Sequence, residues 1–94
     1  MASFIRGETV ICSVQVKNSS GVLTDPSTSM KITITNNING IEVNDQTMTK
    51  DDTGLYHYDW TSSAANLKGT YCVYYKATDG SRVSICRDTF ELEA

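Results

Sequence analysis

Positive charge is scarce and scattered in this chain. Eight Lys and Arg stand against eleven Asp and Glu among 94 residues, giving a formal charge of -3 and a pI near 4.9. Phosphate recognition needs clustered cations, so no nucleic-acid partner is expected. Long apolar runs are missing as well. The opening MASFIRGE makes one short apolar step before its first charge, which excludes a signal peptide core, a membrane span and a lipid anchor from the reading. The expectation is a protein made in a cytoplasm, or a module excised from a longer chain, with no membrane partner. Histidine occurs once, at His57, and cysteine three times, at 12, 72 and 86. An odd number of widely spaced cysteines fits neither a disulfide scaffold nor a zinc site, and a lone histidine cannot complete the usual three-ligand catalytic zinc. No cofactor is expected.

Helical periodicity is also absent, and alternation takes its place. Residues 9–17, TVICSVQVK, put Val10, Cys12, Val14 and Val16 on one face and polar residues mostly on the other, the period-two pattern of a half-buried strand. Asn18 to Gly21 and Asp25-Pro26 break the run. Met30, Ile32 and Ile34 resume it, and NNING at 36–40 carries the Asn-Gly pair that favours a reversal. After the polar cluster Asp51-Asp52-Thr53-Gly54, Tyr56, Tyr58 and Trp60 share an inward face, which turns Leu55, His57 and Asp59 outward. Tyr71, Val73 and Tyr75 form the next inward set. Cys12 belongs to the core as a small hydrophobe.

Thr78-Asp79-Gly80 reads as a three-residue hairpin loop. That length predicts Ala77 opposite Ser81, Tyr75 opposite Val83, Val73 opposite Ile85 and Cys72 opposite Cys86 on the outward face. Opposed β-carbons lie about 4.5 to 5.5 Å apart, within reach of a cross-strand disulfide after local adjustment. In a reducing cytoplasm the two thiols stay free; in a protein that matures outside the cell they bridge. Because Phe90 and Leu92 have the opposite parity to Val83 and Ile85, a bulge is expected near Arg87-Asp88. About seven short strands, turn signals every roughly 8 to 12 residues and no crossover helix predict one domain over 1–94, an all-β, two-sheet antiparallel sandwich.

Asp51, Asp52, His57 and Asp59 are the most enzyme-like group. His57 and Asp59 share a strand face, and Asp51 and Asp52 offer the hard oxygen ligands that calcium uses. Against this, the same residues spell a turn followed by a solvated strand, and one outward histidine does not assemble a nucleophile, base and orienting acid. The reading is therefore a turn plus strand with no catalytic residue, and Asp51 and Asp52 are kept as a weak calcium pair. The inward aromatics fill a core, with Trp60 as the main plug between sheets. Leu55 and Tyr74 lie on outward faces and are candidates for a partner interface.

GETVICSVQVKNSSGVLTDPS, MTKDDTGLYHYDW, KGTYCVYYKATDG and RDTFEL, in that order, span nearly the whole chain. They resemble small immunoglobulin-like domains of microbial surface proteins and of short reading frames in tailed phages. Antibody hallmarks are not met: Cys72 directly follows Tyr71 and faces outward, so the inter-sheet disulfide and the usual tyrosine-corner spacing are missing. The resemblance implies an immunoglobulin-like sandwich in structural or binding use, not an enzyme. It points to a virion protein, a capsid decoration or a tail or head-tail accessory protein, contacting other virion proteins in many symmetric copies. An adhesion or spacer module of a cell-surface protein is the alternative.

Overall fold

The computed structural model describes residues 2–93. Eight strands follow one another: β1 (Ala2–Ile5), β2 (Thr9–Gln15), β3 (Ser29–Thr35), β4 (Ile41–Thr47), β5 (Thr49–Asp52), β6 (Leu55–Thr61), β7 (Gly69–Asp79) and β8 (Arg82–Glu93). They form a five-stranded sheet in the order β1-β8-β7-β3-β4 and a three-stranded sheet in the order β2-β6-β5. No helix occurs among the described residues, as the lack of a 3.6-residue period predicts. One pairing departs from the expected all-antiparallel arrangement. β1 runs parallel to β8, with Ala2 opposite Phe90 and Ile5 opposite Glu93. The two strands are the chain's ends, so the whole of the fold serves as their connection and no crossover helix is needed.

Alternation sets the core. On β2 and β6 the opposed pairs Val10–Trp60, Cys12–Tyr58 and Val14–Tyr56 face inward, and Ile11–Asp59, Ser13–His57 and Gln15–Leu55 face out. From the other sheet Ile32 and Ile34 on β3 are fully buried beside Tyr75 and Val73 on β7. Met30, Val43, Met48, Phe90 and Leu92 complete the buried set, and Val14, Val16 and Tyr58 pack against it half-buried. Trp60 joins the sheets: its ring lies 5.4 Å from Tyr71 and 6.1 Å from Phe90, and those two rings stack at 5.2 Å. Each such aromatic pair adds about 0.5–1.5 kcal/mol beyond the burial of its rings. At the start of β7 the Tyr71 hydroxyl donates to the Leu67 carbonyl at 2.6 Å, tying the strand to the loop that enters it.

The β7–β8 hairpin corrects the predicted register. Its loop is Gly80-Ser81, two residues long, because Asp79 pairs with Arg82 and Gly80 takes a φ of 64°. Side chains from the preceding loop fix it: Gly80 N donates to Thr28 Oγ1 at 3.0 Å, and the Ser27 hydroxyl donates to Asp79. Relative to a three-residue loop, β8 slides by three positions, and an odd slide exchanges its faces. Val83 and Ile85 therefore point outward, while Ser84, Cys86 and Asp88 join Phe90 and Leu92 on the inward side. The parity conflict vanishes, and the ladder runs unbroken through Arg87-Asp88 with no bulge. Irregular pairing falls instead in β5, at Lys50–Asp52, and in β4, where Asp45 has a φ of 52° and the pairing with β3 shifts.

Candidate functional site

The segment 50–61 begins in β5, so Asp51 and Asp52 are strand residues and the turn proper is Thr53-Gly54. The two carboxylates diverge. Asp51 Oδ1 meets His57 Nδ1 at 2.6 Å across the β5–β6 ladder, while Asp52 Oδ1 accepts the Thr53 amide at 2.8 Å. On the same outer face the Asp59 carboxylate stands 4.0 Å from His57 Nε2. Among the described residues no group of three or more His, Cys, Asp or Glu converges as a metal-binding set. The trio Asp51, His57 and Asp59 is an open surface ladder, without the enclosed acceptor position that nucleophilic or metal chemistry requires.

The carboxylate that organises this region is Asp25, which the alternation pattern marks only as a break before Pro26. Its Oδ1 accepts from the Gly54 amide at 2.8 Å and the Tyr56 hydroxyl at 3.2 Å, and its Oδ2 accepts from Lys50 Nζ at 2.5 Å. The Lys50 ammonium, then the Gly54 amide, hold the Asp25 carboxyl below the usual carboxylate range, and Asp25 in turn raises Lys50. Burial first, then the bond to Asp25, pushes the Tyr56 hydroxyl up. Gly54 completes the contact. Its φ is 72°, its carbonyl accepts from the Val16 amide at 2.8 Å, and a β-carbon there would lie 2.7 Å from the Val16 carbonyl oxygen. The polar cluster is a clasp that fastens the 17–28 loop to the β5–β6 turn.

The thiols are separated. Cys72 on the outer face opposes Thr89 on one side and Thr35 on the other, whereas Cys86 opposes Tyr75 on the inward side of the ribbon. A Cys72–Cys86 bridge is ruled out by this register, and all three cysteines are free. Cys12 is buried, and burial pushes its thiol up to about 11, which leaves it protonated and unreactive at neutral pH.

The outward interface candidates lie on different sheets. Leu55 is half-buried opposite Gln15 on the three-stranded sheet, and the 61 % exposed Ile11 lies farther along the same face, opposite Asp59. Tyr74 is half-buried in the middle of the five-stranded sheet, between Thr33 on β3 and Arg87 on β8. Two apolar residues share that face: Ile85, 64 % exposed and diagonal to Tyr74, and Val83, 55 % exposed and one further rung along. Lys31 and Lys76 stand side by side there and share the carboxylate of Asp45 at 3.9 and 3.1 Å. The positive φ of Asp45 turns it toward them.

Along the seam between β2 and β8 the sheets do not close. One open pocket of about 170 Å³ is lined by Val14, Val16, Met30, Tyr75, Ala77 and Cys86. A second of about 260 Å³ is lined by Val10, Cys12, Val73, Tyr75, Asp88 and Phe90. Inward side chains of β8 from Ser84 to Asp88 are consequently exposed. Comparison with family models, with curated proteins and with solved structures finds no match.

Proposed function

We propose that the chain is a non-catalytic immunoglobulin-like domain that serves as a structural protein of a virus particle, as a capsid decoration protein or a tail or head-tail accessory protein. The strand order carries the fold part of this reading. Immunoglobulin-like sandwiches place strands B, E and D in one sheet and G, F and C, with C′ beside C, in the other. β2, β6 and β5 follow the first order, and β8, β7, β3 and β4 the second. The bond from Tyr71 to Leu67 supports it further, and Val73 stands two residues on, where antibody domains carry their second cysteine. The use as a particle protein rests on the four segments that resemble short phage reading frames.

Docking to other virion proteins is assigned to the outer face of the five-stranded sheet. Val83 and Ile85 expose apolar surface there around the half-buried Tyr74, and an aromatic with apolar neighbours ringed by polar and charged groups is what interface cores use. Binding of the purified chain to tailed-phage particles stripped of it tests this assignment. Wild type is expected to rebind in saturable copy number and Tyr74→Asp to lose at least about tenfold in affinity. Equal rebinding by both chains sinks the docking face, and no rebinding by either sinks the particle assignment.

The parallel run of β1 beside β8 favours a second reading, an adhesion or spacer module. β1 and β8 point the same way, an orientation that tandem modules share.

A further inference from the structure

The sheets end on β1 and β4 and on β2 and β5, and the four-residue β1 leaves most of β8 uncovered as a further free edge. β4 is interrupted by the positive φ at Asp45, and β5 is four residues long with its own irregular pairing. Both are poor templates for another strand. β2 is regular but carries no charged side chain over Thr9–Gln15 to select a register. β8 is different. β1 covers it only from Phe90 to Glu93, so Arg82–Thr89 is paired on the β7 side alone, and its other edge has no backbone partner among the described residues. That free stretch is unbroken, and it is exposed from Arg82 through Asp88.

Its side chains are arranged symmetrically in charge. On the inward side stand Arg82, Ser84, Cys86 and Asp88, and on the outward side Val83, Ile85 and Arg87. Inward charges normally protect an edge, since a foreign uncharged strand would leave them unmatched over the apolar seam. A second copy running antiparallel about Ile85 does match them. Arg82 then opposes Asp88 of the other copy at both ends, Ser84 opposes Cys86, Val83 opposes the aliphatic stem of Arg87, and Ile85 opposes Ile85. Every opposed pair shares a face, as an antiparallel ladder demands. No like charges meet.

We propose that the free edge of β8 is a self-association site, through which two copies pair antiparallel over Arg82–Asp88 into one continuous ten-stranded sheet. The interface is isologous, as a two-fold dimer requires. It is also small, at the low end of specific interfaces, so the dimer is concentration-dependent in solution and is strengthened wherever copies are held close together. This site is separate from the docking face around Tyr74 and stands or falls apart from it.

Charge reversal tests it. Arg82→Asp and Asp88→Arg lie on an exposed edge, and far-UV circular dichroism with a thermal melt checks that each variant folds. Sedimentation velocity is run up to about 1 mM protein, a range that captures weak pairs. Wild type is expected to dimerise, and each variant alone to weaken the dimer at least about tenfold, because both ion pairs become repulsions. An equimolar mixture of the two variants should recover the dimer, since Asp at 82 in one copy then faces Arg at 88 in the other. In oxidant, Ser84→Cys should form a covalent dimer through Cys86 of its neighbour faster than wild type does. A wild type that stays monomeric throughout, or a dimer indifferent to either reversal, overturns the proposal. So does a mixture no stronger than its components.

Discussion

Cys72 and Cys86 lie on opposite faces of the β7–β8 ribbon, three positions out of register with each other. Mild oxidation should therefore yield no internal disulfide. In the native protein a maleimide should label the exposed Cys86 first, the half-buried Cys72 more slowly and the buried Cys12 only at the rate of unfolding. Mass spectrometry of peptides after timed labelling reads the order. A Cys72–Cys86 cross-linked peptide would contradict the register.

Gly54 occupies a conformation and a space that no other residue suits. Gly54→Ala combines the left-handed φ with a β-carbon against the Val16 carbonyl, and a loss of about 2 kcal/mol or more is expected. For a domain of this size that lowers Tm by roughly 8 °C or more. A thermal melt of the variant checks it. Gly80→Ala, at a positive φ but in open space, should cost less.

The clasp built on Asp25 makes stability depend on pH. Its carboxyl titrates below the ordinary range in the folded state because Lys50 and the Gly54 amide bind its anion. An unfolded chain then takes up the proton at higher pH than the folded one. The contribution of Asp25 is fully present above the unfolded carboxylate pKa of roughly 4 and is lost as pH falls through the lowered folded value. Melts of wild type and Asp25→Asn should differ at pH 7 and converge toward pH 2. A gap that persists unchanged in acid would mean that the carboxylate charge is not what fastens the loop.

Two core substitutions separate burial from hydrogen bonding. Ile34→Ala, at a fully buried position, is expected to cost about 2–5 kcal/mol. Tyr71→Phe keeps the ring stack with Phe90 and removes only the bond to Leu67, so a smaller loss of about 1–2 kcal/mol follows. Denaturant titrations with a common slope measure both.

The interiors of β2, β3, β6 and β7 are legible because one face of each is buried: the alternation that puts Val10, Ile32, Ile34, Tyr56, Trp60 and Tyr71 inward is the same pattern that buries them. Strand ends and turns are less so. Gly80-Ser81 is itself an acceptable two-residue hairpin loop, but choosing it over Thr78-Asp79-Gly80 depends on Ser27 and Thr28, some fifty residues away, whose bonds to the hairpin no local rule contains. One wrong loop length produced both an opposed cysteine pair and a bulge that β8 does not have. The even parity shared by Ser84, Cys86, Asp88, Phe90 and Leu92 was the available signal, masked by the polar character of its first half. The role of Asp25 has no local signal for a related reason. Its partners Lys50, Gly54 and Tyr56 lie 25 to 31 residues downstream, and only the folded chain brings them to it.

A domain that serves, as proposed, in a virus particle must travel with that particle. Quantitative mass spectrometry of purified tailed-phage particles, made in cells that express the chain, measures this. The chain is expected in every preparation, at a copy number that is a fixed multiple of the shell's or tail's symmetry. A chain absent from particles and recovered instead with the cell envelope would contradict it and leave the spacer module in its place.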